Sequence, residues 1–245
     1  MGDDQGWGVF LNKDLSECNI VGMDWSGRNL AGTTFAGSDF RIAALDATNF
    51  VYCDLRHLKA KGVNFAKANL SLARLSDSDL EEANLWGANL YMADVSRSSF
   101  KNANMDGSNM PHMTAHETNF DGTDLYGANF VCSDLTGSSF IGADLTGANF
   151  SSCTLEKINF SGASMRNCNL ASCNLNGSNL KSSNLENASI LDTNLNATTY
   201  NSETIWPRKI THIYFEKPGE KYVQSPLTGW TEILEENNGE HSPHN

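Results

Sequence analysis

Basic residues are scarce in this 245-residue sequence: 17 lysines and arginines stand against 29 aspartates and glutamates, a formal net charge of −12. That balance argues against direct nucleic-acid binding through a basic surface. Long apolar runs are missing too, and with them any signal peptide or membrane span. The opening MGDDQG lacks the Ser or Thr of a myristoylation signal. The chain is therefore expected to be soluble and cytoplasmic, without membrane contact. It has no Gly-rich phosphate loop, no CxxC pair, and no Ser-His-Asp set apart from what its periodicity explains. No catalytic role and no cofactor is expected. His112 and His116 in PHMTAH would share a face on a helix, but the segment does not read as helical, so they fall on different sides of a corner as surface histidines.

What the sequence has is a period of five. From Glu81 to Val95 it reads EEANL, WGANL, YMADV. Positions five apart wander around an α-helix and flip sides on a strand, so no straight element buries such a column. The chain itself must turn about once per five residues, as a solenoid does. Every fifth residue from Leu15 to Tyr200 is apolar, 38 in all, in a chain only 40% hydrophobic. Two residues before each, Ala, Ser, Thr or Cys dominates, and the residue just before is mostly Asp or Asn. Two residues after lies a glycine column that holds every Gly between Leu11 and Tyr200. The apolar and small residues face inward, while Asp, Asn and Gly mark corners.

Units such as YGANF, IGADL and TGANF give the chain a resemblance to the pentapeptide-repeat family: a small residue, Asp or Asn, Leu or Phe, then two variable residues. The resemblance covers residues 11–200. It implies an all-β fold, a right-handed quadrilateral β-helix with four pentapeptides per 20-residue coil. About nine to ten coils result, roughly 45 Å of rod at the usual strand spacing. Residues 1–10 then form a lead-in and 201–245 a capping segment with a polar tail. Trp206 and Pro207 in TYNSETIWP are placed to cover the last open core. KITHIYFEK and KYVQSPLTGWTEIL alternate enough for one or two short strands, and ENNGEHSPHN reads as disordered.

A 20-residue coil stacks Phe100, Phe120, Phe140 and Phe160 on one inner face. It also aligns Arg41, Lys61, Glu81, Lys101 and Asp121 as an outward charge ladder. At Leu58/Ala60 and Met113/Ala115 large and small inward residues trade places, either as plain repacking or, near Pro111, as a bulge. Met23, Val63 and Ile158 read as inward packing adjustments. Lys13 and Arg28 in the small column point to irregular first coils. Five of the six cysteines (Cys18, Cys53, Cys153, Cys168, Cys173) occupy the small inward column, so they read as reduced packing residues.

Two surface features carry functional expectations. Between Asn102 and Glu156 there are seven acidic residues, Asp106, Glu117, Asp121, Asp124, Asp134, Asp144 and Glu156, and no Lys or Arg. Family members similar to quinolone-resistance factors are dimeric acidic DNA mimics that occupy type II topoisomerases, which makes such an enzyme (gyrase) one candidate partner. Here the acids are divided among several faces. The second feature is a face on Phe50, Leu70, Leu90, Met110 and Phe130, where the second outward position carries Tyr52, Leu72, Met92, His112 and Cys132. Val51, Tyr91, Pro111 and Val131 flank it. The other three faces read as glycine or polar there. An outward apolar stripe on a polar rod marks a protein-binding surface, for an unknown partner or for a second copy in a homodimer, unless the C-terminal segment folds over it.

Overall fold

The computed structural model describes residues 11–207 and the backbone of four short segments, 213–214, 216–217, 220–225 and 229–232. The fold begins at the corners. Two residues after each central apolar position φ is positive, between 53° and 74°, from Asn12 to Ala197. Glycine adopts this conformation without cost, yet more than half of these corners carry a side chain. At Gly32, Gly37 and Gly122 glycine also makes room. A Cβ at Gly37 would lie 2.1 Å from Glu17 Oε1, because the corner side chain of one coil leans across the next. The turn is closed locally at most corners, as where the Met23 N–H donates to the Ile20 carbonyl at 2.9 Å.

The Asp/Asn column completes each corner. Its Oδ1 accepts the main-chain N–H two residues on, as in Val51 to Asn49 at 3.1 Å and Arg56 to Asp54 at 3.3 Å. The residues of this column also pair coil to coil as parallel bridges 20 positions apart, from Asp14 with Thr34 to Asn179 with Thr199. Four such columns run along the molecule and define four faces. Between coils the main chain is satisfied three times per pentapeptide. For one unit, the Leu15 N–H donates to Thr34 at 2.8 Å, the Glu17 N–H to Ala36 at 2.9 Å, and the Thr34 N–H back to Lys13 at 2.8 Å.

The inward small column has a chemical as well as a steric reason. A hydroxyl or thiol there donates to a carbonyl 23 residues earlier: Ser78 to Leu55 at 2.9 Å, Thr118 to Val95 at 2.9 Å, Cys153 to Phe130 at 2.9 Å. Alanine needs no partner, so the column accepts Ala, Ser, Thr and Cys alike. Burial pushes the Cys53, Cys168 and Cys173 thiols up to about 12, which keeps them protonated donors. All six cysteines are free, Cys132 alone being exposed.

Phe100, Phe120 and Phe140 stack with centroids 5.2 and 4.7 Å apart, and Phe160 follows at 5.3 Å, tilted by 31°. A second stack joins Phe130 and Phe150 at 4.6 Å, meeting the first edge-on. Leu58, Ala60, Met113 and Ala115 are all buried, so the exchanges are repacking. The bridges Asn89–Asn109–Asn129 pass Pro111 without interruption, and there is no bulge. Val63 and Ile158 are buried.

Three expectations are corrected. Met23 is 43% exposed; it lies in the first described coil, where Lys13, Cys18 and Arg28 of the same column are not buried either. The first coils are regular in backbone despite Lys13 and Arg28, because the ladder depends on main-chain groups. The charge ladder is mostly unmade: Lys61 reaches Glu81 at 3.5 Å and Glu82 at 3.1 Å, but Arg41 turns back to Asp39 at 2.6 Å.

Near the C-terminal end Asn184 bridges Ile205, 21 positions on, so the register slips by one. Trp206 is buried with its ring edge-on to Tyr200 at 5.4 Å. Strand β1 (Thr193–Asn194) pairs in parallel with β2 (Ile213–Tyr214), again 20 positions on. Strands β3 (Glu216–Lys217), β4 (Glu220–Ser225) and β5 (Gly229–Glu232) form an antiparallel sheet, where short strands were expected. Residues 1–10 and the polar tail lie outside the described residues.

Two predictions follow from this architecture. Phe140→Ala should cost on the order of 3–5 kcal/mol in denaturant unfolding; a loss under about 1 kcal/mol would place that column outside the interior. The second concerns Asp54, which the Arg56 guanidinium holds below the ordinary carboxylate range. A carboxyl so lowered stabilises the fold above its unfolded value of about 3.9, and loses that contribution as pH falls through its folded value. Asp54→Asn keeps the corner acceptor but not the charge. It should melt lower than wild type at pH 7, and the gap should narrow as pH falls below the ordinary carboxylate range; a gap that stays the same at every pH would contradict this.

Candidate functional site

The corner stripe is assembled by the 20-residue step. Main-chain bonds from Tyr52 to Ser71, Leu72 to Tyr91, Met92 to Pro111 and His112 to Val131, at 2.8–3.2 Å, lock consecutive coils there. Tyr52 is 67% exposed and Met92 46%, while Val51, Leu72 and Val131 are half-buried. The Tyr91 ring meets His112 edge-on at 5.9 Å. All five second-outward residues, Tyr52, Leu72, Met92, His112 and Cys132, have φ of 55–60°. Side chains in this left-handed region are held at an energetic cost, which burial offsets least at the exposed Tyr52, Met92, His112 and Cys132.

Beside the stripe lies a neutral face. Asn49 donates through Nδ2 to Asn29 at 2.9 Å, Asn109 to Asn89 at 3.1 Å, and Asn129 to Asn109 at 3.0 Å. Each Asn thus links one coil to the previous one while its Oδ1 holds the following corner. At Pro111, which has no N–H, that corner bond is absent and Asn109 Oδ1 still receives Asn129.

The acidic belt divides into two groups on opposite faces. Asp124 and Asp144 are bridge partners, with Asp106 at the corner after their face and Asp121 at the corner before it. Asp121 accepts from the Ser139 hydroxyl at 2.5 Å and the Ile141 N–H at 2.9 Å. Across the rod stand Glu117, Asp134 and Glu156. Asp134 takes the Thr136 hydroxyl at 2.6 Å and has His116 Nε2 at 2.9 Å. Burial pushes its carboxyl up, and these partners outweigh that and hold it below its ordinary value. Glu156 accepts from Asn174 Nδ2 at 2.5 Å. His112 and His116 sit at different corners, and among the described residues no three His, Cys, Asp or Glu side chains gather as a metal site requires.

The stripe is not the sole apolar exposure. Ile42, 68% exposed, occupies the second outward position at another corner, against the expectation of only glycine and polar residues there. Trp86 and Tyr126 stand exposed at a third corner. Their signal is a 20-residue spacing that skips one coil, at the first outward position rather than the second.

The family model for pentapeptide repeats matches the sequence in 8 copies, over residues 43–77, 78–112, 118–156, 128–167 and 163–199. No curated protein sequence matches it. Among solved structures the chain is similar to HetL, a pentapeptide repeat protein involved in heterocyst differentiation regulation in the cyanobacterium Nostoc sp. strain PCC 7120. Identity is 22% over 77% of this chain and 87% of that one, with a TM-score of 0.49. It is similar to full-length QnrB1, a plasmid-mediated fluoroquinolone resistance protein, at 18% identity over 78% and 93% of the two chains, TM-score 0.27. A pentapeptide repeat protein from the Arabidopsis thaliana thylakoid lumen shares 30% identity over 57% and 73%, TM-score 0.23.

If the stripe's side chains are not held for the sake of the fold, glycine should replace them freely. Tyr52→Gly and Met92→Gly relieve left-handed strain and should leave the unfolding free energy within about 1 kcal/mol of wild type, or raise it. A loss above about 2 kcal/mol would show that these side chains pack into the fold.

Proposed function

The chain belongs to the pentapeptide repeat family, and from that footing we propose that it is a non-catalytic scaffold that binds a protein partner through its apolar corner. The observation that carries this reading is the row Tyr52, Leu72, Met92, with Val51, Tyr91 and Val131 beside it, set on left-handed corners next to an uncharged asparagine face. The tyrosine rings supply contact area with little loss of freedom on binding, and the flexible Met92 thioether can adapt to an irregular partner surface. The same reading takes the solenoid as a right-handed, four-sided β-helix of about nine to ten coils over residues 11–200, after a lead-in over 1–10 and before a cap and tail over 201–245; the unbroken 20-residue bridges support it. Buried thiols kept as hydrogen-bond donors fit a reducing compartment such as the cytoplasm.

A second reading, an acidic DNA mimic that binds and modulates a type II topoisomerase, is favoured by the seven acids without Lys or Arg between Asn102 and Glu156. A duplex shows a charge about every 1.7 Å of axis. Here the acids stand on opposite faces, four to one side and three to the other, which favours the scaffold.

The test compares wild type with a Tyr52→Ser, Leu72→Ser, Met92→Lys variant. The variant should stay folded and lose whichever protein the wild type captures from native lysate. If the stripe serves a homodimer, solution scattering should give a dimeric wild type and a monomeric variant. Equal mass, stability and captured proteins would refute the stripe, and potent inhibition of gyrase supercoiling by purified wild type would put the mimic first.

A further inference from the structure

The asparagine face has two edges, and the stripe is one of them. Along the other, the first outward position of three successive coils carries Trp86, Asp106 and Tyr126. The rings are 43% and 57% exposed. Strand spacing sets them two coils apart, roughly 10 Å at the backbone, with the carboxylate between. The indole already engages a cation: Lys67, one coil earlier, lays its Nζ 4.7 Å from the ring centroid. Asp106 comes from the coil on the other side of the indole. Among the described residues no cationic side chain bridges Asp106, Asp124 or Asp144, whereas the same corner further on is closed by the Arg166–Glu186 pair at 3.1 Å.

We infer that the Trp86–Asp106–Tyr126 corner is a docking site for an arginine side chain of a partner protein. Chemistry selects that occupant. A guanidinium offers a flat face to an aromatic ring and an N–H edge to a carboxylate at once, while an ammonium offers neither a plane nor a fork. Asp124 and Asp144, on the adjoining face, add uncompensated negative charge that steers a basic segment toward the corner. The assignment stands apart from the apolar stripe, since no residue is shared between the two edges.

The experiment uses the full chain labelled with 5-fluorotryptophan and a capped tri-arginine peptide as probe, with tri-lysine as the comparison; Trp86→Phe assigns the Trp86 resonance. Tri-arginine should bind saturably, shift that resonance, and bind at least fivefold tighter than tri-lysine. Asp106→Asn and Tyr126→Ala should each weaken it at least fivefold by calorimetry, with melting temperatures unchanged because both residues point outward. Glu117→Gln, on the opposite side of the rod, should leave affinity within twofold of wild type. A Trp86 signal that does not move, equal binding of tri-lysine, or equal weakening by Glu117→Gln and Asp106→Asn would overturn the proposal, the last by reducing it to general attraction to an acidic chain. Saturable binding that fails to appear at millimolar peptide would overturn it as well.

Discussion

The main-chain hydrogen bond that runs from each coil to the carbonyl 19 residues later is the interaction on which everything else rests. It requires the chain to return to the same place after four corners, and it can do so only if every corner turns by the same amount. The left-handed residue sets that turn, and the Asx acceptor before it fixes the entry. With the coil length fixed, inward columns stack on themselves and a phenylalanine meets a phenylalanine. At Leu58/Ala60 and Met113/Ala115 the large and small inward residues trade places at constant volume, whereas Val63 beside Phe65 and Ile158 beside Phe160 fit two large side chains into one unit.

Because backbone and interior supply the cohesion, the outward positions are released from structural duty. A corner accepts Gly37, Tyr52, Lys67 or Asp192 with the same dihedral. Neighbouring surfaces can therefore differ sharply in character over a few residues. One asparagine face is bordered by an apolar edge on one side and by an aromatic and acidic edge on the other, without any change in the chain path beneath. The surface is written independently of the scaffold.

That independence decides what could be read from sequence. The interior was legible because identity and position are locked together there: the Phe100 to Phe160 stack follows from spacing alone, and the Phe130–Phe150 stack was equally available from it. The Ser, Thr and Cys preference was visible as size, but its hydrogen bond to a carbonyl 23 residues back emerges only from the coiled path. Outward side chains were less legible. Arg41 has a choice of acids and takes Asp39 within its own corner, where an i, i+20 ladder had seemed natural. The acidic run is contiguous in sequence and divided in space, because 50 residues of sequence wrap around all four faces. Trp86 and Tyr126 hold the first outward position, so the pattern of second outward residues carries no trace of them.

The one-residue slip between Asn184 and Ile205 shows how exacting the geometry is. Every surface residue has an address with two coordinates, its coil and its quarter of the circumference. Gain or loss of a whole coil lengthens the rod and leaves each quarter's alignment intact. A change by a single pentapeptide preserves the buried columns equally well, yet rotates all downstream surface by a quarter turn. Such an event would be nearly silent to the fold and would break any binding edge that straddles it. Insertions in a chain like this are therefore to be judged by their remainder on division by 20, not by their size.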